Sequence, residues 1–187
     1  MSVILRPEIA PEQAVLITPM AAVAVARAME RVAGARAGIK WINDVYLNDK
    51  KACGILCEAG MDAQAGKLKY VVMGIGINVG RMHFPPELES TATSLSNACG
   101  HAVSRTEFLS ALLRELTELW PKLADEEVLR ESRERSIVIG RDVLVLRGDE
   151  QFMAHAVDIA ADGSLIVDTV GGERLSLHSG EVSLKLR

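Results

Sequence analysis

The sequence predicts an α/β (α+β) protein: a mixed β-sheet with helices on one face, followed by a small five-strand β-barrel. Three observations carry this expectation. Residues 12 to 32 are apolar on every side of a helical wheel, as a helix buried against a sheet requires. Two apolar runs then flank the polar Asn48-Asp49-Lys50, and a third runs from 68 to 79, so strands follow the helix. From Ile137 the pattern changes to short strand-like runs, separated by Gly148-Asp149, Asp162-Gly163 and Gly171-Gly172. The expected domains are therefore 1–136 and 137–187.

Composition narrows the class. A chain of 187 residues buries a real core, and 49% apolar with 25% charged residues is the profile of a soluble globular protein. A net charge of −4 argues against a nucleic-acid partner. The chain has no apolar run of about 18 residues and no basic-then-apolar leader, which argues against a membrane partner or a signal peptide. Three cysteines, Cys53, Cys57 and Cys99, cannot all pair, and reduced thiols point to the cytoplasm. Cys53 and Cys57 have no second Cys or His pair nearby and read as small core residues rather than zinc ligands.

In chain order, Ser2 to Arg6 reads as a strand stopped by Pro7. Pro11-Glu12 opens the first helix, since proline fits a first turn and acids suit the N-terminal dipole. Pro19 lies inside the pattern, so the helix kinks there or begins there with Thr18 as its cap. It ends near Gly34. Residues 39 to 47 and 51 to 58 form a strand–turn–strand unit, because Asn48-Asp49 tolerates the left-handed backbone of a tight hairpin. Residues 59 to 69, small and polar, read as a loop. Residues 68 to 79 form a third strand, in which Gly74 and Gly76 mark either closeness to a ligand or a bulge. Residues 81 to 100 are expected to be irregular, with the hydroxyls of Ala92-Thr93-Ser94-Leu95 capping turns or helices. Ser104 or Thr106 caps a helix over 105–119, whose core stripe is Phe108, Leu109, Leu112, Leu113, Leu116 and Leu119. Residues 121 to 135 form a short helix whose mixed charges make a solvated face. His83, His101, His155 and His178 read as surface or loop residues, none near a second base.

The chemistry concentrates in the hairpin. Lys40, Asn43 and Asp44 fall within five residues. A two-residue turn at Asn48-Asp49 pairs Lys51 near Tyr46 and puts it on the same face as Asp44. Lysine is a point cation for phosphate or carboxylate oxygens, and Asp beside Asn suits magnesium next to a nucleotide. Gly54 admits a flat ligand to the backbone, with Leu56 as an apolar floor. Spacing alone favours the plainer reading, an amphipathic hairpin with solvated ends.

The residues themselves say more. Lys40-Trp41-Ile42-Asn43-Asp44, then Lys51-Ala52-Cys53-Gly54-Ile55-Leu56-Cys57-Glu58, then Gly74-Ile75-Gly76-Ile77-Asn78-Val79 follow in order. Together they resemble a biotin protein ligase, over Ser2 to Lys185. The resemblance implies a class II aminoacyl-tRNA synthetase/biotin ligase-like sheet and an SH3-like barrel. It implies ATP-dependent formation of biotinyl-5′-AMP, with ATP and Mg and with biotin as substrate. Biotin would then pass to a lysine of a biotin carboxyl carrier protein domain of a carboxylase. By resemblance, Lys51, Lys40 and Asp44 are the catalytic residues. Lys51, Gly54, Leu56, Gly74 and Gly76 would bind biotin. Asn43, Asn78 and Lys185 would bind the nucleotide, and Asn43 with Asp44 the magnesium ion. The family often dimerises through this sheet, so a homodimer is implied. Ile42 replaces the commoner proline.

The family's catalytic domain begins roughly a hundred residues earlier, with a Gly-Arg-Gly-Arg type loop that has no counterpart in these residues. Met1 to Pro7 matches a mid-domain strand. The expectation is weak or absent biotin adenylation by residues 1–187 alone. The alternatives are a non-catalytic member that binds nucleotide or carrier domain, and a lipoate-type acyl-adenylating relative. The Lys-Trp-x-Asn-Asp signature and the barrel favour biotin.

Overall fold

The computed structural model describes residues 1–62 and 64–184. Strand β1 (Ser2–Leu5) leads through a 3₁₀ turn (Pro11–Leu16) into helix α1 (Ile17–Ala33). Strands β2 (Gly38–Lys40), β3 (Asp44–Leu47), β4 (Lys50–Asp62) and β5 (Lys67–Ile77) follow. Helices α2 (Pro86–Glu89), α3 (Leu95–Cys99), α4 (Arg105–Leu119) and α5 (Glu126–Glu134) come next. Strands β6 (Asp142–Arg147), β7 (Glu150–Ile159), β8 (Leu165–Thr169), β9 (Arg174–Leu177) and β10 (Glu181–Leu184) complete the described chain.

Helix α1 is the buried spine. Ile17, Met20, Val23, Val25 and Met29 are fully covered by the sheet on one side and by α4 and α5 on the other. Each such side chain contributes about 1.5–3 kcal/mol by leaving water. Thr18 is not its cap. The 3₁₀ turn runs directly into the helix, Leu16 occupies the cap position in helical conformation, and Pro19 falls in the first turn where its missing N–H costs nothing. Gly34, with φ +65°, ends the helix and donates its N–H to the Glu30 carbonyl.

The first sheet has the order β1-β5-β4-β3-β2. The expected mixed sheet is antiparallel at every strand pairing: short connections join β2 to β3, β3 to β4 and β4 to β5, and β1 pairs antiparallel with β5 across a long connection. Among the described residues, parallel contact occurs only at the isolated bridges Ile39–Ser136 and Lys51–Ala92. The helices pack on one face, as expected. The strand expected over 39–47 is broken by a turn at Trp41-Ile42-Asn43, with a cis Trp41–Ile42 peptide, so β2 and β3 form a hairpin of their own. The expected loop 59–69 is mostly strand: β4 and β5 stay paired out to Asp62 and Lys67. Small residues with little strand preference are held there by their partner strand.

Residues 81–100 include the short helices α2 and α3. Ser94 caps α3 by accepting from Asn97 N–H, and Ser104 caps α4 by accepting from Glu107 N–H. The α4 stripe differs from expectation. Phe108, Leu112 and Leu119 are buried, but Leu109 and Leu113 are exposed, and Glu115 is buried in their place. Its carboxylate pairs with Arg31 of α1 at 2.7 Å. Helix α5 also departs from a purely solvated face. It buries Val128 and Leu129, and Glu131 joins Arg27, Arg135 and, through Arg135, Glu30.

The second sheet, order β10-β6-β7-β8-β9, wraps Val143, Val145, Ala156, Leu165, Val167 and Val182 into its own core. His155 is a surface residue, as expected, exposed on β7 with Nδ1 2.9 Å from Asp142 Oδ1. Among the described residues, no helix is long and apolar enough to cross a membrane.

Candidate functional site

Asn48 and Asp49 have φ of 49° and 60°, the pair of positive values that a two-residue hairpin turn demands. The turn pairs Leu47 with Lys50 and Tyr46 with Lys51. A bulge between Val45 and Tyr46 then brings Asp44 opposite Gly54. Bulges re-aim side chains. Here Lys51 Nζ comes 2.7 Å from Asp44 Oδ1, as the hairpin reading anticipated. Gly54 lies beneath the pair: a Cβ there would sit 3.4 Å from Lys51 Cε and 3.5 Å from Asp44 Oδ1.

Two cavities adjoin at Asn43, the chain neighbour of Asp44. The first, about 390 Å³, lies over the open face of the sheet and is lined by Gly54, Leu56, Gly74, Gly76, Asn43 and the Met1-Ser2 end of β1. Leu56 is 62% exposed and forms its apolar floor. Gly74 pairs with Leu56 and Gly76 with Gly54 in unbroken register, so neither glycine marks a bulge. The sheet face is simply left bare there, as a ligand needs in order to reach the backbone. The second cavity, about 260 Å³, is lined by Lys40, Asn43, Asp44 and Lys51 on one side and by Gly180 and Glu181 of the barrel on the other. Asn43 lines both, and its side-chain Nδ2 donates to the Ile55 carbonyl at 2.9 Å. Lys40, mostly buried, points its Nζ to within 3.9 Å of Glu181 Oε1.

Eight of the anticipated residues thus converge: Lys40, Asn43, Asp44, Lys51, Gly54, Leu56, Gly74 and Gly76. Asn78 lines neither cavity. It stands at the end of β5, where its Nδ2 donates to the Thr93 carbonyl at 3.1 Å and its backbone carbonyl accepts from Leu95 N–H. It ties down the 91–95 segment that runs beside Lys51. Lys185 lies outside the described residues.

Asp44 Oδ1 is buried and, despite its charge contact with Lys51, has no directed hydrogen-bond donor. Asp44 and Asn43 both line the second cavity, and their carboxylate and amide oxygens are a donor set that suits a magnesium ion taking most of its ligands from phosphates and water. Among the described residues no group of three or more His, Cys, Asp or Glu could form an all-protein metal cage. Tyr46, beside the site, has its hydroxyl pKa raised by burial and then by the charges of Asp44 and Glu181.

Trp41, Gly180 and Glu181 were not anticipated from spacing. Gly180 and Glu181 are far along the chain and reach the hairpin only because the barrel docks there. Trp41 reads locally as one more apolar strand residue, whereas its side chain lies in the core of the barrel.

The model of the biotin/lipoate A/B protein ligase family matches residues 1–78, and that of the biotin protein ligase C-terminal domain matches residues 138–185. The chain is 35% identical over 191 residues to the bifunctional ligase/repressor BirA of Bacillus subtilis, covering 98% of this chain and 57% of that protein. It is 36% identical over 152 residues to the biotin--[acetyl-CoA-carboxylase] ligase of Mycobacterium tuberculosis, covering 79% and 53%. The chain thus spans little more than half the length of these relatives. Among solved structures, apo biotin protein ligase from Aquifex aeolicus matches with TM-score 0.83 and 27% identity, over 98% of this chain and 80% of that one. The same enzyme in complex with biotin and ATP matches with TM-score 0.80 and 26% identity, over 98% and 76%.

Proposed function

The chain belongs to the biotin protein ligase family, and from that membership we propose that it joins biotin to a protein lysine by way of biotinyl-5′-AMP. The observation that carries the reading is the Lys51–Asp44 pair in the wall of a charged cavity, directly over Gly54, which lines the adjoining apolar, glycine-floored cavity. Biotin, with an apolar chain ending in a carboxylate, suits the first cavity. The phosphates of ATP suit the second. Their reacting ends then meet at Lys51.

In the first step a biotin carboxylate oxygen attacks the α-phosphorus of ATP and pyrophosphate leaves. Negative charge builds on the phosphoryl oxygens, and the Lys51 ammonium is placed to offset it. Asp44, 2.7 Å away, holds that ammonium in place. Lys40 adds a second cation to the wall of the nucleotide cavity. Magnesium, when bound by Asp44 and Asn43, would supply further charge neutralisation at the phosphates. In the second step a carrier lysine amine attacks the acyl carbon, loses a proton, and AMP leaves. The open side of the first cavity, with Leu56 exposed, gives that amine a route to the acyl group. We propose a biotin carboxyl carrier protein domain as the acceptor. A homodimer would pair through the β1 edge of the sheet, where Ile4 is exposed.

Transfer is tested by incubating the chain with ATP, labelled biotin and a purified carrier domain. Label on the carrier lysine supports the reading. A carrier that stays unlabelled while an authentic ligase labels it contradicts transfer by this chain.

A further inference from the structure

Trp41 sits in the middle of the site's sequence, yet its side chain belongs to the barrel. It is 5% exposed and packs with Val138, Val143, Ile159 and Leu165. Its indole Nε1 donates to the carbonyl of Gly163 at 3.0 Å. Gly163, with φ +80°, occupies the turn between β7 and β8. Backbone bonds already close this turn, from Gly163 N–H to the Ala160 carbonyl and from Ala160 N–H to the Ser164 carbonyl.

A side-chain relay braces the same turn from behind. Ser176 Oγ donates to Ser164 Oγ at 2.7 Å, and Ser164 Oγ donates to Asp162 Oδ1 at 2.6 Å. Asp162 Oδ1 also accepts from Ser164 N–H at 3.0 Å. Ser164 is buried, so its hydroxyl is held in one arrangement. Hydrogen bonds running in one direction polarise and stiffen one another. His178 Nδ1 stands 3.6 Å from Asp162 Oδ2 at the outer end.

On the other side of Trp41 lies the charged cavity. Lys40, Ile42, Asn43 and Asp44, its chain neighbours, form one wall, and Gly180 and Glu181 of the barrel form the other. The seating of the indole therefore sets the gap between the walls. We propose that Asp162, Ser164 and Ser176 are positioning residues for the nucleotide side of the site, acting through the Gly163 carbonyl and Trp41. The proposal rests on reading that cavity as the nucleotide pocket. It assigns to the barrel turn a role at a distance from any reacting atom.

The chain has two tryptophans, so Trp120→Phe leaves Trp41 as the sole emitter. In that background, Ser164→Ala removes the relay, and Asp162→Asn keeps the shape of the turn while weakening the acceptor. Trp41 emission is recorded, and ATP and biotin affinities are measured by calorimetry on the full chain. The expected result in both variants is a red-shifted emission with ATP affinity down about fivefold, the effect of one lost hydrogen bond. Biotin affinity stays within about twofold. Unchanged emission overturns the proposal. So does a shifted emission with ATP affinity intact, or a parallel loss of both affinities, which marks general loosening. A Trp120→Phe parent that binds neither ligand contradicts the proposed function itself. It is told apart from failure of the relay by Trp41 emission, which moves in the variants only if the turn holds the indole.

Discussion

Lys51 Nζ lies 2.7 Å from Asp44 Oδ1 across a hairpin bulged between Val45 and Tyr46. Lys51 is half-exposed while Asp44 is nearly buried, so the pair joins a protein-held anion to a cation facing the charged cavity. A pair this open contributes at most about 1 kcal/mol to stability. Asp44→Asn is accordingly expected to shift Tm by no more than a few degrees. The rate of adenylate formation should fall about 10- to 100-fold, as when a group that orients a catalytic residue is lost. Thermal melts and pyrophosphate exchange, run together, check this. A large loss of Tm would make Asp44 a structural residue instead.

Gly74 and Gly76 have room for a side chain. A Cβ would meet nothing closer than 3.6 Å at Gly74 and 3.7 Å at Gly76. Gly76→Val is therefore expected to fold with nearly unchanged Tm, since the strand gains a residue that favours it. The added methyls would stand in the first cavity, and biotin affinity should drop by at least about tenfold. Calorimetry with biotin decides. Unchanged affinity would move the biotin subsite elsewhere.

Glu131 sits between Arg27 and Arg135, and Glu30 pairs with Arg135. Burial pushes both carboxyl pKa values up, but hydrogen bonds and charge from the arginines outweigh it and hold both below the ordinary 4.5. A depressed folded-state pKa means stability that is present above the unfolded value and lost as pH falls through the folded one. Tm should therefore be flat in this respect above about pH 5 and fall as acid protonates the pair. Glu131→Gln leaves two arginines short of a partner and should cost about 2 kcal/mol near neutrality. It should also flatten the acid limb. Melts of both proteins across the acid range check it, and an identical acid limb in the variant would contradict the assignment.

Burial pushes the Cys53 thiol up to about 12, and burial raises Cys57 as well. The thiolate is the reactive form, so neither should be alkylated quickly at pH 8 in the folded chain. Both should react on unfolding. Mass mapping after brief iodoacetamide treatment tells the cysteines apart.

Much of the hairpin was legible because the constraint is local. Asn48-Asp49 supplies two left-handed residues, and that alone sets Tyr46 against Lys51. The bulge at Val45 was not visible, since no glycine marks it, yet it is what brings Asp44 opposite Gly54. Trp41 shows the opposite limit. An apolar residue between Lys40 and Ile42 reads as strand, and only the docking of residues 122 positions away reveals it as a barrel core residue. Glu115 was lost for a related reason: a carboxylate in an apolar stripe is explained only by Arg31 on a different helix. Residues 59–69 read as loop because glycine and alanine lack strand preference, and pairing with β5 overrides that.

The central claim is that the Lys51 junction activates a biotin carboxylate with ATP. Biotin-dependent exchange of labelled pyrophosphate into ATP, compared between the parent chain and Lys51→Ala, tests it most directly. The account predicts weak exchange in the parent, above the biotin-free blank, and exchange no greater than the blank in the variant, with Tm preserved. Folded parent protein that shows no biotin-dependent exchange, or a variant that exchanges as well as the parent, would contradict it.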